Sequence, residues 1–139
     1  MISKNLIKPH FLSFIIALLL LFVFHSKLIV NLNTTLLGDE SDGLKNYYTI
    51  LYHSKHDSTY THFEGMNYPF GEHVVFTDNQ PLLSNSIKFI SKGFPLVKNY
   101  IIGIVNGCML LAIPLTALLL CLLFMRLHTA AWLAVLVSV

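Results

Sequence analysis

The chain has 139 residues, of which 55% are hydrophobic and 12% charged, with a formal net charge of +2. Soluble domains carry roughly 25% charged residues, so this composition argues against an ordinary water-soluble domain. No basic patch with interleaved aromatics points to nucleic acid, and Cys108 and Cys121, both inside an apolar run, are expected to act as small hydrophobes rather than as a disulfide or metal ligands.

Charge is sorted along the chain. All seven acidic residues fall between Asp39 and Asp78, Lys4 and Lys8 precede the first apolar run, and Arg126 follows the second. That order predicts a cytoplasmic N-terminus, an outside loop and a return to the cytoplasm. Lys88, Lys92 and Lys98, close to the second apolar run, blunt the asymmetry.

The first apolar run, Phe11 to Phe24, is too short to cross roughly 30 Å of hydrocarbon as a helix. Extended forward to Val30, it reaches a spanning length, with Lys27 near one interface and free to snorkel. A cleaved signal peptide is the competing reading, but His25-Ser26-Lys27-Leu28 offers no small-x-small cleavage site. Beyond Asn31 the chain leaves the membrane, and Asn33-Thr34-Thr35 fits the low-specificity glycosylation acceptor pattern.

A polar turn follows, Gly38-Asp39-Glu40-Ser41-Asp42-Gly43, and then a helix predicted from about Gly43 to Tyr52, with Leu44, Tyr47, Tyr48 and Leu51 at helical spacing. Asp39 or Asp42 can cap its start. Residues 66–72 form a turn built around Pro69 and Gly71, His73-Val74-Val75-Phe76 reads as extended, and residues 77–81 turn again. From Leu82 to Ser91 an amphipathic helix is expected, with Leu82, Leu83, Ser86, Ile87 and Ile90 on one side and Lys88 and Lys92 available to lipid headgroups.

The second long run is uncharged from Ile101 to Phe124, enough to span a bilayer. Pro114 inside it is expected to free a carbonyl and bend the helix, and Asn106 is a polar residue inside the run. A third run, Ala130 to Val139, is too short to span and is expected to be the start of a third span of a longer protein.

The expected fold is therefore an all-α membrane protein, transmembrane helices joined by a structured extracytoplasmic loop with short helices, as one part of a larger helical bundle. Its divisions are a cytoplasmic N-terminus at 1–10, a first transmembrane helix at 11–30, an extracytoplasmic loop at 31–96, a second transmembrane helix at 97–125, a cytoplasmic turn at 126–129 and the start of a third helix at 130–139.

Chemistry is expected first at the acidic turn. Asp39, Glu40 and Asp42 lie close enough in sequence for mutual repulsion to poise one as a base, or for hard oxygen ligands to hold a divalent cation. A capped helix in a solvated turn accounts for the same residues. Asp78-Asn79-Gln80 is a second polar point, which either folds back toward Asp39 or makes an ordinary turn. His53, His56, His62 and His73 with Asp57 and Glu64 contain no complete metal-ligand pattern, and surface or interfacial histidines are the expectation. The loop aromatics, Tyr68 among them, suit a sugar or lipid path, an interfacial belt or a small core of the loop.

The succession of one span, Gly38-Asp39, a short aromatic helix, Tyr68-Pro69-Phe70-Gly71, Thr77-Asp78-Asn79-Gln80-Pro81-Leu82-Leu83, an amphipathic helix and a second span resembles the amino-terminal part of bacterial multi-spanning proteins of the GT-C superfamily. These are glycosyltransferases that use polyprenyl-phosphate-linked sugars. The resemblance covers roughly residues 10 to 125. It implies an inner-membrane enzyme transferring a sugar to a cell-envelope glycan or lipid. Asp39 would be the catalytic base, with Asp42 as its alternate, and Asp39 and Glu40 would be the ligands of a divalent cation if one is used. Asp78, Asn79, Gln80 and Tyr68 would position substrate. The alternative from a different class is a non-enzymatic multi-spanning protein of transport or envelope assembly.

Overall fold

The computed structural model describes residues 8–38 and 41–139, and they are mostly helical. In chain order come α1 (Pro9–Phe24), α2 (Ser26–Val30), α3 (Ser41–Lys55), the short strands β1 (His62–Phe63) and β2 (Glu72–His73), α4 (Pro81–Gly93), α5 (Ile101–Arg126) and α6 (Ala131–Ser138). Short 3-10 turns occupy Val74–Phe76 and Pro95–Asn99. The helices expected at 43–52 and 82–91 are thus present and somewhat longer. The run expected to be extended at 73–76 is not: only His73 pairs in a strand, and Val74–Phe76 coil into the 3-10 turn, with the Thr77 hydroxyl donating to the Val74 carbonyl at 2.8 Å.

The chain divides into two compact units, one made of the residues up to Val30 together with Gly107–Val139, the other of Asn31–Asn106. In the first unit α1 starts on Pro9, whose missing N–H is no loss at a helix start. The helix expected as one piece to Val30 breaks at His25, on the polar triplet His25-Ser26-Lys27, where the His25 N–H bonds back to Leu21 and closes α1. Of the described helices, α5 alone is long and apolar enough to cross a bilayer, and it stays helical through Pro114.

Burial within this unit runs opposite to that of a water-soluble core. Its inward positions are mostly small: Ser13 and Ala17 on α1, Pro114, Ala117 and Cys121 on α5, and Ala134 and Ser138 on α6. The Ser13 hydroxyl donates to the Ala117 carbonyl at 3.2 Å and meets the Ser138 hydroxyl at 2.7 Å. Large apolar side chains instead face outward, including Phe11, Leu19, Phe22, Val23, Phe24, Leu119, Trp132 and Leu136.

The second unit has a conventional core. Tyr47 and Ile50 of α3, Ile87 of α4, and Ile101 and Val105 of α5 pack together, with Leu36, Leu51, Leu83 and Val97 around them. Beside it Phe63 is fully buried, with the rings of Tyr48, Tyr52 and His53 about it, so these aromatics do form a small loop core. β1 and β2 pair antiparallel, His62 opposite His73 and Phe63 opposite Glu72.

The faces of α4 differ from expectation. Leu83 and Ile87 point into the core while Leu82 is 86% and Phe89 70% exposed, so apolar residues lie on two sides of the helix. Lys88, expected at lipid headgroups, is only 7% exposed and donates to the Thr59 carbonyl.

Candidate functional site

Asp39 and Glu40 lie outside the described residues, but the glycines that bracket their turn do not. Gly38 and Gly43 are pressed together. A Cβ on Gly43 would come within 2.7 Å of the Gly38 carbonyl oxygen and 2.8 Å of its Cα. Any larger residue there would push on backbone, so the sequence closes this turn by having no side chain at either end. Asp42 follows in the first turn of α3, where a carboxylate suits the positive end of the helix. Its carbonyl accepts from the Asn46 amide at 3.1 Å.

One turn on, Lys45 meets the second polar point. Its ammonium stands 2.5 Å from an oxygen of Asp78, and both side chains are substantially exposed. The hydrogen bond and charge of Asp78 raise the Lys45 pKa above its ordinary value, and Asp42 and Glu72 add weakly in the same direction. Asp78 holds a left-handed backbone, φ 56°, which turns the chain so that Asn79 points inward. The Asn79 amide donates to the Thr49 carbonyl of α3 at 3.0 Å, and its Oδ1 is buried with no hydrogen-bond partner among the described residues. Asp78 is therefore carried to the N-terminal half of α3 and Asn79 to its middle.

The other positioning residues are not gathered there by any described contact. Gln80 is exposed at the start of α4, where its carbonyl accepts from Ser84 at 3.0 Å. Tyr68 precedes a cis peptide bond to Pro69 and is 92% exposed. Among the described residues no group of three or more His, Cys, Asp or Glu side chains is placed to hold a metal ion. The two expected metal ligands are Asp39 and Glu40, outside that set.

Two polar clusters emerge that sequence reasoning did not assemble. His53 is fully buried, its Nδ1 2.6 Å from Asp57 Oδ2 and its Nε2 2.9 Å from Asn85 Oδ1. Asp57 Oδ1 accepts from the Glu64 N–H at 3.2 Å, and the Asn85 amide donates to the Tyr60 carbonyl at 3.0 Å. The cluster ties α3, α4 and the 57–64 loop together, so His53 is a core residue rather than a surface one. The available signal is the four-residue spacing of His53, near the end of α3, and Asp57, just beyond it.

The second cluster is centred on Asn106. Its amide donates to the Leu32 carbonyl at 2.6 Å and to the Thr35 carbonyl at 2.7 Å, while its oxygen accepts from the Tyr47 hydroxyl. That hydroxyl accepts in turn from the Leu37 N–H at 3.1 Å. Asn33 adds a parallel tie, accepting from the Gly103 N–H at 3.0 Å and donating to the Asn99 carbonyl at 2.9 Å. Its approach depends on Gly103, where a Cβ would sit 3.3 Å from the Asn33 side chain. Together these bonds fix the segment that leads into the acidic turn.

No curated protein and no solved structure matches this sequence. Residues 13–139 match the family described as a domain of unknown function, DUF6311, and the chain belongs to that family.

Proposed function

We propose that this chain belongs to a membrane-embedded glycosyltransferase that takes its sugar from a polyprenyl phosphate, with the acidic turn at 38–43 as the reacting centre. The observation that carries the membrane part is the burial pattern of the unit containing α1, most of α5 and α6. In water, large apolar side chains are driven inside. Lipid removes that drive between helices, leaving close backbone approach over small residues and hydroxyl bonds as the cohesive forces. Ser13, Ala17, Ala117, Ala134 and Ser138 inside, with Phe, Leu, Val and Trp outside, fit lipid as the surrounding medium.

Support for the transferase part is the GT-C resemblance together with the pinched turn. The Gly38–Gly43 contact brings together the two ends of the segment that carries Asp39 in the sequence. In the reaction, Asp39 takes the proton of an acceptor hydroxyl, the acceptor oxygen bonds to the anomeric carbon, and the bond from that carbon to the phosphate oxygen breaks. The phosphate leaves on its lipid carrying the electron pair. A transport role would want intramembrane polar groups facing a path, whereas both ends of the Asn106 amide are spent on Tyr47, Leu32 and Thr35.

The test is transfer of labelled sugar from a panel of polyprenyl-phosphate donors by membranes carrying the complete gene product, wild type against Asp39→Asn. Transfer by wild type that is lost in the variant at unchanged protein level is the expected result. Undiminished transfer by Asp39→Asn would remove Asp39 from the chemistry and move the test to Asp42. No transfer by wild type across the panel would overturn the transferase reading.

A further inference from the structure

At the far end of α3 from the acidic turn, a helix length of about 22 Å away, lies a polar cavity of about 170 Å³. Lys55, Lys88, Lys92 and Lys98 line it together with Ser54, Ser58, Ser91 and Asp57. The end of α3 supplies one cation, and the second half of α4 with the 3-10 turn that follows it supplies the other three.

Four lysines and one carboxylate line it, and that carboxylate is already engaged. One oxygen of Asp57 meets His53 and the other accepts the Glu64 N–H. Lys45 pairs with Asp78, but none of the four cavity lysines forms an ion pair among the described residues. Lys88 is the most telling. Burial lowers its pKa first, and Lys92 and Lys98 lower it further against the opposing pull of Asp57. One of its three N–H groups goes to the Thr59 carbonyl, leaving two for a ligand. The Tyr60 ring braces the pair from one side, 5.5 Å from the Lys88 nitrogen and 4.9 Å from that of Lys92.

Complementing helix dipoles accounts for Lys55 and Lys92, which sit in last turns. Lys98 likewise ends a short 3-10 helix, but complementing dipoles does not account for a lysine as buried as Lys88. Like charges drawn together around a concave, partly dry space repel one another unless an anion joins them. A compact, multiply charged oxyanion suits several point-like ammonium groups better than a single carboxylate does.

We infer that the cavity lined by Lys55, Lys88, Lys92 and Lys98 binds a phosphate group. The group is carried either on a small soluble molecule or on the headgroup of an anionic phospholipid. This site is separate from the acidic turn and stands whether or not the chain is a transferase.

The test uses the whole chain in phosphatidylcholine nanodiscs at constant ionic strength set with chloride. In one arm inorganic phosphate and glycerol phosphate are titrated and the thermal midpoint is followed. In the other, phosphatidic acid replaces a small share of the phosphatidylcholine. A saturable rise in midpoint in the first arm identifies a soluble source, and a rise confined to the second identifies the lipid headgroup. Lys92→Gln/Lys98→Gln should weaken either response at least about tenfold, while its ligand-free midpoint equals or exceeds that of wild type because repulsion is relieved. If the double variant does not fold, Lys55→Gln alone gives the same reading. Lys45→Gln, a charge control at Asp78, should respond like wild type. No rise in either arm, or equal loss in the Lys45→Gln control, would overturn the site.

Discussion

Asn106 gives the sharpest test of how the second unit is held together. It sits in an apolar helix, so replacing it with an apolar residue would be expected to help on hydropathy alone. The bonding says the reverse. Asn106→Ala removes three hydrogen bonds at once, two to the carbonyls of Leu32 and Thr35 and one from Tyr47. Both carbonyls lie in a half-buried segment where water can partly replace the amide. The Tyr47 hydroxyl cannot be rescued so easily, since that side chain is 3% exposed. At about 0.5–1.5 kcal/mol per bond lost, and about 1–3 kcal/mol for a donor left buried, the change should cost about 3–5 kcal/mol. Unfolding of the whole chain in detergent, with hydrogen exchange followed at the amides of residues 32–37, measures it. Tyr47→Phe alone should cost about 1–3 kcal/mol, because it strands the Leu37 N–H and the Asn106 oxygen. The double variant should lose less than the sum, with a coupling of about 1–2 kcal/mol. A cost for Asn106→Ala below about 1 kcal/mol would show that the network adds little to stability, and strict additivity with Tyr47→Phe would show that the two residues do not act together.

His53→Leu should destabilise the same unit by about 3–5 kcal/mol, because it leaves Asp57 buried without its partner. Asp57→Asn keeps one oxygen to accept the Glu64 N–H and removes the buried charge, so it should cost clearly less, and equal costs in denaturant titrations would refute the pairing. Gly43→Ala should lower stability by about 1–3 kcal/mol despite the better helix propensity of alanine, since the new Cβ meets Gly38 backbone. Gly107→Ala, a helix position with nothing within 4 Å of the added atom, should gain up to about 1 kcal/mol. Parallel thermal scans that move both variants the same way would remove the steric argument.

What sequence reveals here is what repeats locally. The spacing of Tyr47 and Leu51, and of Leu83 and Ile87, announces α3 and α4, and the uncharged stretch from Ile101 announces α5, because periodicity and length act within one segment. The faces of α4 are not legible in the sequence for a related reason. Leu82, Leu83, Ile87, Phe89 and Ile90 form one apolar stripe about 160° wide, broader than the core contact, so hydrophobicity cannot say which edge of it the core takes. The packing of α3 decides that for Leu83 and Ile87. The break at His25 and the 3-10 turn at Val74 are similarly matters of single backbone bonds, which composition averages away.

The sites depend on partners that no local rule supplies. Asn106 reads from sequence as one polar residue among apolar ones. Its meaning comes from a tyrosine 59 positions earlier and from carbonyls more than 70 away, brought together only when the core closes. The lysines show the same limit from the other side. Taken along the chain, Lys88, Lys92 and Lys98 flank an apolar helix and suggest headgroup anchors. Folding turns Lys88 inward and adds Lys55 from α3, converting a scattered positive flank into a single concave patch beside Asp57. A charge that lies on the surface in sequence terms thus acquires a defined ligand geometry only through the packing of α3 on α4. The same contact decides which of these lysines must give up water, and it selects Lys88, whose neighbours Ser84 and Ile87 are buried with it. The placement of that one residue makes the patch a pocket rather than a rim.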